Sequence, residues 1–452
     1  TGTRNTAVGR HALIDCTTAS DNTAVGYNAL DELTTGANNT GFGSSVLQKL
    51  TTADHNTGVG YNALAANTTG DSNVAVGNYA LDANTTAAAN TAFGYATLTE
   101  NTTGAYNVAA GYTALYANTT GGYNIAIGLN ALYTNTTASN NIAVGGNSLR
   151  FNTTGAGNTG VGAAALEANT TASYNTGVGY SVLAATTTGH ENNAIGAYAL
   201  DANTTGYRNG AFGYGALTEN TEGYGNEAFG YFALGENTTG DYNCAFGHAA
   251  LDVSTTGDSN SAVGVSAGGT LTTGSYNVLL GVQAGSYSGT SLTTGTGNVH
   301  VGAYTVPSAV GVHYETTLGY NVTGQGTSTT SFRGTPYNSV NADWGTYSDI
   351  RIKKNVTDNK KGLDAINQIR VRNFEYKTKE EILNDSPELT DVIDAAVKEQ
   401  KGVQVGVVAQ ELQEVLPELV QEESTTVLSV VPTELKWYMV NAVQELSAQV
   451  KE

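Results

Sequence analysis

The sequence predicts a mostly β protein with two parts: a parallel β-solenoid, or β-roll, of 17-residue repeats, then a small α+β domain that ends in a helix. Three observations carry this prediction. Asparagine returns every 17 residues from Asn5 to Asn277. Glycine holds the fifth position of every repeat, from Gly9 to Gly281. Beyond residue 343 the sequence gains the charge and the apolar spacing of an ordinary globular domain.

Each position of the repeat, with consensus N-T-A-V-G-Y-x-A-L-x-x-N-T-T-G-x-x, can be assigned a structural role. The fourth position is apolar and the ninth is leucine from Leu13 to Leu251, so we expect both to fill a thin core between two short strands. The fixed glycine predicts a bend or a close approach that a side chain would block. The opening asparagines predict a buried ladder. Seventeen residues are too few for a two-helix repeat, and Gly, Asn and Thr disfavour helix.

We place the solenoid at residues 1–306, a Gly/Ser/Thr-rich connector at 307–342 and the C-terminal domain at 343–452. Coils stacked ~4.8 Å apart would give seventeen coils a length of about 80 Å. Two apolar side chains per coil bury too little surface to offset the entropy of ordering each coil. We therefore expect several chains to pack together, with a homotrimer as the expected assembly.

Charge and cysteine content exclude several classes of function. The net charge is −20: residues 1–306 hold 5 basic and 18 acidic residues (−13), and residues 343–452 hold 13 and 20 (−7). Such a surface disfavours nucleic acids and anionic membranes as partners. Cys16 and Cys244 lie some thirteen coils apart, too far for a disulfide. We expect no cofactor, no metal site and no membrane insertion, because acidic residues are scattered over the repeat and no apolar run reaches ~18 residues.

Periodicity assigns the elements of the C-terminal domain. It predicts a helix near 361–369, strands near 370–377 and 403–408, a helix near 409–415, and an amphipathic helix from about residue 433. One face of that last helix carries six apolar residues and suits a short helix bundle: Leu435, Met439, Ala442, Val443, Leu446 and Val450.

The repeats resemble a known class of fibrous protein. Units such as NTAVGYNAL at 22–30 and NIAIGLNAL at 124–132 are similar to the head repeats of trimeric autotransporter adhesins. Those are left-handed parallel β-rolls packed three to a rod, and similar 17-residue repeats occur in phage tail fibres. The resemblance implies a trimeric rod.

Three separated motifs of the last domain also resemble a family: SDIRIKKNV at 348–356, FEYK at 374–377 and GVVAQELQEVLPELV at 406–420. In the same order they are typical of the C-terminal intramolecular chaperone domain of phage endosialidases and tail fibres. That domain trimerises, templates folding of the β-structure upstream, and then cuts itself off, although some members trimerise without cutting.

The resemblance implies a cut between Tyr347 and Ser348. It makes Ser348 the nucleophile, Lys353 the base and Asp349 an orienting residue, with Lys354 as the adjacent alternative base. A lysine can act as a base where burial lowers its pKa. The alternative is that Ser-Asp before a basic strand is only a turn or a helix cap. No external substrate is expected, and any enzymatic activity would be a single-turnover serine autoproteolysis.

The expected function is that of a fibre in a phage tail or a phage-derived injection system, located on the virion tail or another extracellular appendage. It would attach to a host-surface receptor, a glycan or a surface protein. The chain starts at Thr1 without methionine, so we expect a fragment or a processed product, joined to other fibre or baseplate proteins through a preceding part. The alternative is a bacterial cell-surface trimeric adhesin, which a membrane anchor would distinguish.

Two residue rows invite other interpretations. Tyrosines recur after the fixed glycine or close the repeat, and they could stack on glycans or pack over glycine and at seams between chains. The Thr-Thr pairs could suggest an ice-binding solenoid, but neighbouring residues of a strand point to opposite faces. The NTT triplets match the N-glycosylation sequon, which a solenoid turn explains without sugar.

Overall fold

A computed structural model describes residues 2–287, 290–332, 359, 361–386, 402–422, 428–430 and 432–450. The chain forms two compact units, Thr1–Ser339 and Val340–Glu452. The first is the solenoid and the second is the α+β domain.

The solenoid contributes one three-residue strand per coil, and consecutive strands pair in parallel to form a single 20-stranded sheet among the described residues. Register is kept by repeat position, so that Ile142 pairs with Thr159 and Val144 with Val161. The strands are β1 Thr6–Val8, β2 Thr23–Val25, β3 Thr40–Phe42, β4 Thr57–Val59, β5 Val74–Val76, β6 Thr91–Phe93, β7 Val108–Ala110, β8 Ile125–Ile127, β9 Ile142–Val144, β10 Thr159–Val161, β11 Thr176–Val178, β12 Asn193–Ile195, β13 Gly210–Phe212, β14 Glu227–Phe229, β15 Cys244–Phe246, β16 Ser261–Val263, β17 Val278–Leu280, β18 Val299–Val301, β19 Thr316–Leu318 and β20 Thr330–Phe332.

The inward-facing residue of the strands is the third-position residue, which is Ala or Gly in β1–β16, and not the large fourth-position one. Ala143 is fully buried, whereas Ile142 and Val144 on either side of it are half-buried. The prediction that the fourth position fills the core is wrong, and so is the prediction of two strands per coil. Over β1–β16 the roll leaves little room for a larger inward residue: a Cβ built on Gly58 would lie 2.6 Å from the Val46 side chain.

The predicted leucine core is confirmed, but its leucines lie in a turn. Leu132 and Leu149 are fully buried, and both have φ of +50°, in the left-handed region that costs about 1 kcal/mol or more. The turns are laddered like the strands, since the Leu132 N–H donates to the Ser148 carbonyl (3.0 Å). Burial of each leucine, about 2 kcal/mol, offsets the backbone strain.

The predicted asparagine ladder at the first position is confirmed. The Asn73 backbone N–H donates to Asn56 Oδ1 (2.9 Å), and its side-chain Nδ2 donates to the Ala87 carbonyl (2.9 Å). The twelfth position forms a second buried ladder, in which Asn118 Nδ2 donates to Asn101 Oδ1 (2.7 Å). These twelfth-position asparagines are those of the NTT triplets, and their burial leaves them inaccessible for glycosylation in the folded solenoid.

The second ladder is interrupted at Thr186, and the interruption yields a stability prediction. Asn169 Oδ1, one coil earlier, is buried and accepts no hydrogen bond within the described part of the chain, because Thr186 offers no amide donor. Thr186→Asn should restore the donor and raise the free energy of unfolding by about 1 kcal/mol. Thermal unfolding followed by circular dichroism measures this effect.

The matched control is Thr188→Asn, since Thr188 is exposed in the same turn and should leave the midpoint unchanged. An equal rise of the unfolding midpoint in both variants would contradict the ladder explanation. So would an unchanged midpoint in Thr186→Asn.

The solenoid extends past residue 306, into the segment that the sequence assigned to a connector. Strand β19 pairs in parallel with β18, and β20 pairs in parallel with β19. The coil lengths change there and the opening asparagine is lost, so the period that identifies earlier coils gives no signal. Inward residues in these strands are polar, namely Thr317 and Ser331.

A buried glutamate closes the first ladder. Glu315 stands at the ladder position after Asn298, whose Oδ1 accepts its backbone N–H (2.9 Å). The Glu315 carboxylate accepts the backbone N–H groups of Ser308 (3.0 Å) and Gly326 (2.9 Å). Nearby His300 replaces the inward alanine of β18, and burial lowers its pKa to about 4.

The second unit contains four helices and two antiparallel strand pairs among its described residues. Strand β21 (Arg372–Phe374) pairs with β22 (Gln404–Gly406), and β23 (Val420–Glu422) pairs with β24 (Leu428–Val430). The predicted helices and strands are present within a few residues of their expected bounds, while the helix α2 (Lys379–Asp385) and strands β23 and β24 were not predicted. The elements are α1 Leu363–Gln368, β21 Arg372–Phe374, α2 Lys379–Asp385, β22 Gln404–Gly406, α3 Ala409–Val415, a 3-10 turn Pro417–Leu419, β23 Val420–Glu422, β24 Leu428–Val430 and α4 Pro432–Gln449.

The core of this unit is small and holds α4 in place. Leu412, Leu416 and Leu419 are buried together with Tyr438 of α4. The Tyr438 hydroxyl donates to Glu418 Oε1 (2.7 Å). Lys361 donates to the same oxygen (2.6 Å), and this bond is the main cause that lowers the pKa of Glu418 to about 2. One side of α4 is therefore fixed to the unit, which leaves its other side exposed.

Candidate association surfaces

The predicted cleavage site cannot be placed. Tyr347, Ser348, Asp349, Lys353 and Lys354 all lie outside the described residues. The cleavage chemistry therefore stays a prediction from the family resemblance. The functional features that the structure does place are exposed apolar faces and ladders of aromatic rings.

The first apolar face belongs to α4. Of its predicted face, Ala442 is buried and Leu435 half-buried. Four further residues of that face are exposed: Met439, Val443, Leu446 and Val450. Three of these line an apolar groove with Leu363 and Ile366 of α1. An exposed apolar helix face next to a groove is the feature that association through a helix bundle requires.

The second apolar face runs along the solenoid sheet, and we call it the outer stripe. It consists of the fourth-position residues, which point away from the core: Val8, Val25, Phe42, Val59, Val76, Phe93, Ala110, Ile127, Val144, Val161, Val178, Ile195, Phe212, Phe229, Phe246, Val263, Leu280, Val301, Leu318 and Phe332. All twenty are apolar. Phe93 is 62% exposed and Phe246 is 56% exposed.

The outer stripe is continuous from coil to coil. Phe212, Phe229 and Phe246 stack face to face, with ring centroids 4.6 and 5.4 Å apart. The second-position residues share the same face and are mostly Thr, Val or Ile. One acidic residue, Glu227, occupies that row, and partial burial raises the pKa of its carboxyl. The fourth-position row is thus a continuous apolar strip, and the row beside it, in which threonine is the most frequent residue, carries a single charged residue among these positions.

The tyrosine rows stack along the solenoid. Some rings of neighbouring coils lie parallel, as in Tyr207 and Tyr224, whose centroids are 4.8 Å apart with planes 2° apart. Others meet edge to face, as in Tyr61 and Tyr79. Tyr174 packs over the glycine of the preceding coil: a Cβ built on Gly157 would lie 2.9 Å from its ring. Packing over glycine is therefore confirmed for Tyr174. Faces that stack on each other are covered, which leaves edges and hydroxyl groups exposed.

One of the two threonine rows, formed by the first threonine of each Thr-Thr pair, is occupied by ladder bonds. Thr85 Oγ1 donates to the Thr102 carbonyl (3.2 Å), and Thr102 Oγ1 donates to the Thr119 carbonyl (3.0 Å). A hydroxyl row that is hydrogen-bonded to the next coil is poorly suited to ordering ice. No group of three or more His, Cys, Asp or Glu side chains in the described ranges could hold a metal ion.

The two cysteines lie in different surroundings. Cys16 is half-buried and Cys244 is exposed, and both are free thiols. Cys244 opens β15 and lies on the same face as the outer stripe, two residues before Phe246. Among the described residues, no helix is both long enough and apolar enough to cross a membrane.

Comparison with known families agrees with the motifs of the second unit. Residues 348–421 match the family model described as chaperone of endosialidase. The matched segment begins at Ser348, the residue predicted to follow the cut. No curated protein and no solved structure was found to match the chain.

The outer stripe is the surface feature that the sequence reasoning missed. A signal for it was present: the third position is nearly always Ala or Gly, while the fourth is nearly always Val, Ile, Leu or Phe. In a strand that alternates between faces, a strictly small residue beside a strictly large one indicates a thin interior and an apolar exterior.

Proposed function

We propose that this chain is part of a trimeric fibre of a phage tail or phage-derived injection system and serves attachment to a host surface. A C-terminal chaperone domain would trimerise, template the folding of the solenoid and then cut itself off. The observation that carries the proposal is the order of the parts: a solenoid of near-identical coils precedes the segment 348–421 that matches the chaperone of endosialidase.

The repeats explain why such a fibre needs a chaperone. Nearly every coil presents the same residues at the same positions, so three chains could pair one coil out of step at little cost. Contacts between long chains are also non-local and slow to form. A small domain that trimerises first would align the three chains in register before their coils pair.

The proposed cut uses groups supplied by the chain itself. The Ser348 hydroxyl attacks the carbonyl carbon of Tyr347, and Lys353, as the neutral amine, takes the hydroxyl proton. The Tyr347–Ser348 C–N bond breaks, the Ser348 amine leaves with a proton, and an ester joins Tyr347 to the serine oxygen. Water then hydrolyses the ester, which frees a carboxylate at Tyr347 and restores the hydroxyl. Asp349 would orient these groups.

Intact mass of the denatured protein tests the proposed cut. Wild type should yield two fragments that separate between Tyr347 and Ser348, and Ser348→Ala should yield one uncut chain. Lys353→Met should also remain uncut, whereas the matched variant Lys354→Met should be cut like wild type.

One full-length mass for wild type would refute self-cleavage and leave the domain as a permanent cap. Cutting in Lys353→Met but not in Lys354→Met would assign the base to Lys354 instead.

A further inference from the structure

We infer that the outer stripe is the face through which copies of this chain pack against one another along the solenoid. The copies would lie parallel and in register. This inference rests on the proposed trimer and adds to it the surface of contact. The C-terminal domain would hold the chains together at one end, while the stripe would join them coil by coil.

The size of the stripe requires a partner. It comprises twenty apolar residues, of which eight are between 38% and 62% exposed and the other twelve are half-buried. Six of the twenty are phenylalanines, whose side chains present roughly 150–250 Å² each when fully exposed. The largest apolar patch of a typical monomer is about 300–600 Å² and marks an interaction site where it is larger. A partly exposed apolar row that continues over twenty coils is a patch of that kind.

The period of the stripe identifies the partner as a second copy. Its side chains recur once per coil, ~4.8 Å apart along the axis, over all twenty strands. A partner that fills this strip must offer apolar groups with the same spacing over the same length. Another copy of the solenoid, placed parallel and level, meets that requirement.

Charge favours the same face. Residues 1–306 carry a net charge of −13 (5 basic, 18 acidic), so copies repel each other over most of their surface. The outer stripe carries no charged residue, and the second-position row beside it carries only Glu227. Copies can therefore approach most closely along this face.

Cys244 offers a direct test, because its exposed thiol lies on the stripe face. In the full chain with Cys16→Ser, which removes the half-buried thiol, a tris-maleimide should join three solenoids through Cys244 into a covalent trimer on a denaturing gel. The matched control adds Cys244→Ser and Thr256→Cys, which moves the thiol to an exposed turn position of the same coil. It should give no covalent trimer.

A second pair of variants tests the apolar contact itself. Phe229→Asp, one coil before Cys244, would place three carboxylates at the seam and should abolish the cross-link. Thr239→Asp, at an exposed turn position of that same coil, should leave the cross-link unchanged. Circular dichroism establishes that each variant is folded.

Sedimentation velocity separates failure of this inference from failure of the proposed function. One contradicting outcome is a trimer in solution that is cross-linked through Thr256→Cys or through neither position. That result would overturn the stripe as the contact face but would still support the proposed trimer. A monomer would overturn both. A trimer joined through Cys244 alone, with the link lost in Phe229→Asp, is the expected result.

Discussion

Gly145→Ala is expected to break the solenoid at its middle, with a loss of about 4 kcal/mol or more, which is large for a single substitution. Gly145 has φ of +136°, and an added Cβ would lie 2.3 Å from the Gly162 carbonyl oxygen in the next coil. Neither the left-handed backbone nor the stacked peptide can move without breaking the ladder. Since each coil of a repeat protein is stabilised by its neighbours, the defect should separate the coils on either side.

The neighbouring Gly146 supplies the control for this prediction. A Cβ built on Gly146 meets no atom within 4 Å, and the preceding and following coils carry Leu129 and Ala163 at that position. Gly146→Ala should therefore leave thermal unfolding unchanged, while Gly145→Ala lowers the midpoint and opens a protease site near residue 145. Equal midpoints for the two variants would show that the fixed glycine is not required by the backbone.

Features of the solenoid could be predicted from the sequence where a single physical reason explains why one residue type recurs at a position. The period, the fixed glycine, the buried leucine and the first asparagine ladder follow from such reasons, and the structure confirms them. The direction of the strand side chains does not follow in the same way. A three-residue strand has two possible choices of inward face, and an apolar residue at the fourth position fits a core as well as it fits a contact between chains.

The end of the solenoid and the candidate site show the same limit. Strands β19 and β20 lack the asparagine and leucine by which earlier coils are identified, so the period could not reveal them. The α4 face was predicted from helical spacing, and the exposure of Met439 and Val443 agrees with it. Ser348 and Lys353, by contrast, are assigned by resemblance to a family motif, because no periodicity or spacing in this chain distinguishes a nucleophile from a turn residue.

The first-position ladder carries the second large prediction, through Asn73→Asp. Asn73 is fully buried, and its Nδ2 donates to the Ala87 carbonyl (2.9 Å) and to Asn56 Oδ1 (3.2 Å). A carboxylate would replace this donor with a charged acceptor that faces two oxygens. Leaving a charge buried without a partner costs about 3–5 kcal/mol, so the thermal midpoint at pH 7 should fall sharply.

The pH dependence of this loss distinguishes charge from lost packing. Burial raises the pKa of the new carboxyl above its unfolded value of about 3.9. The destabilisation should therefore be full above the folded pKa and shrink as pH falls toward 4, where a protonated carboxyl can donate to Ala87. Asn78→Asp is the matched control in the same coil: Asn78 is exposed, and its Oδ1 accepts the Tyr61 N–H (2.9 Å), which a carboxylate accepts equally well. A loss in Asn73→Asp that stays constant between pH 7 and 4 would mean that shape, not the hydrogen-bond donor, explains the asparagine at this position.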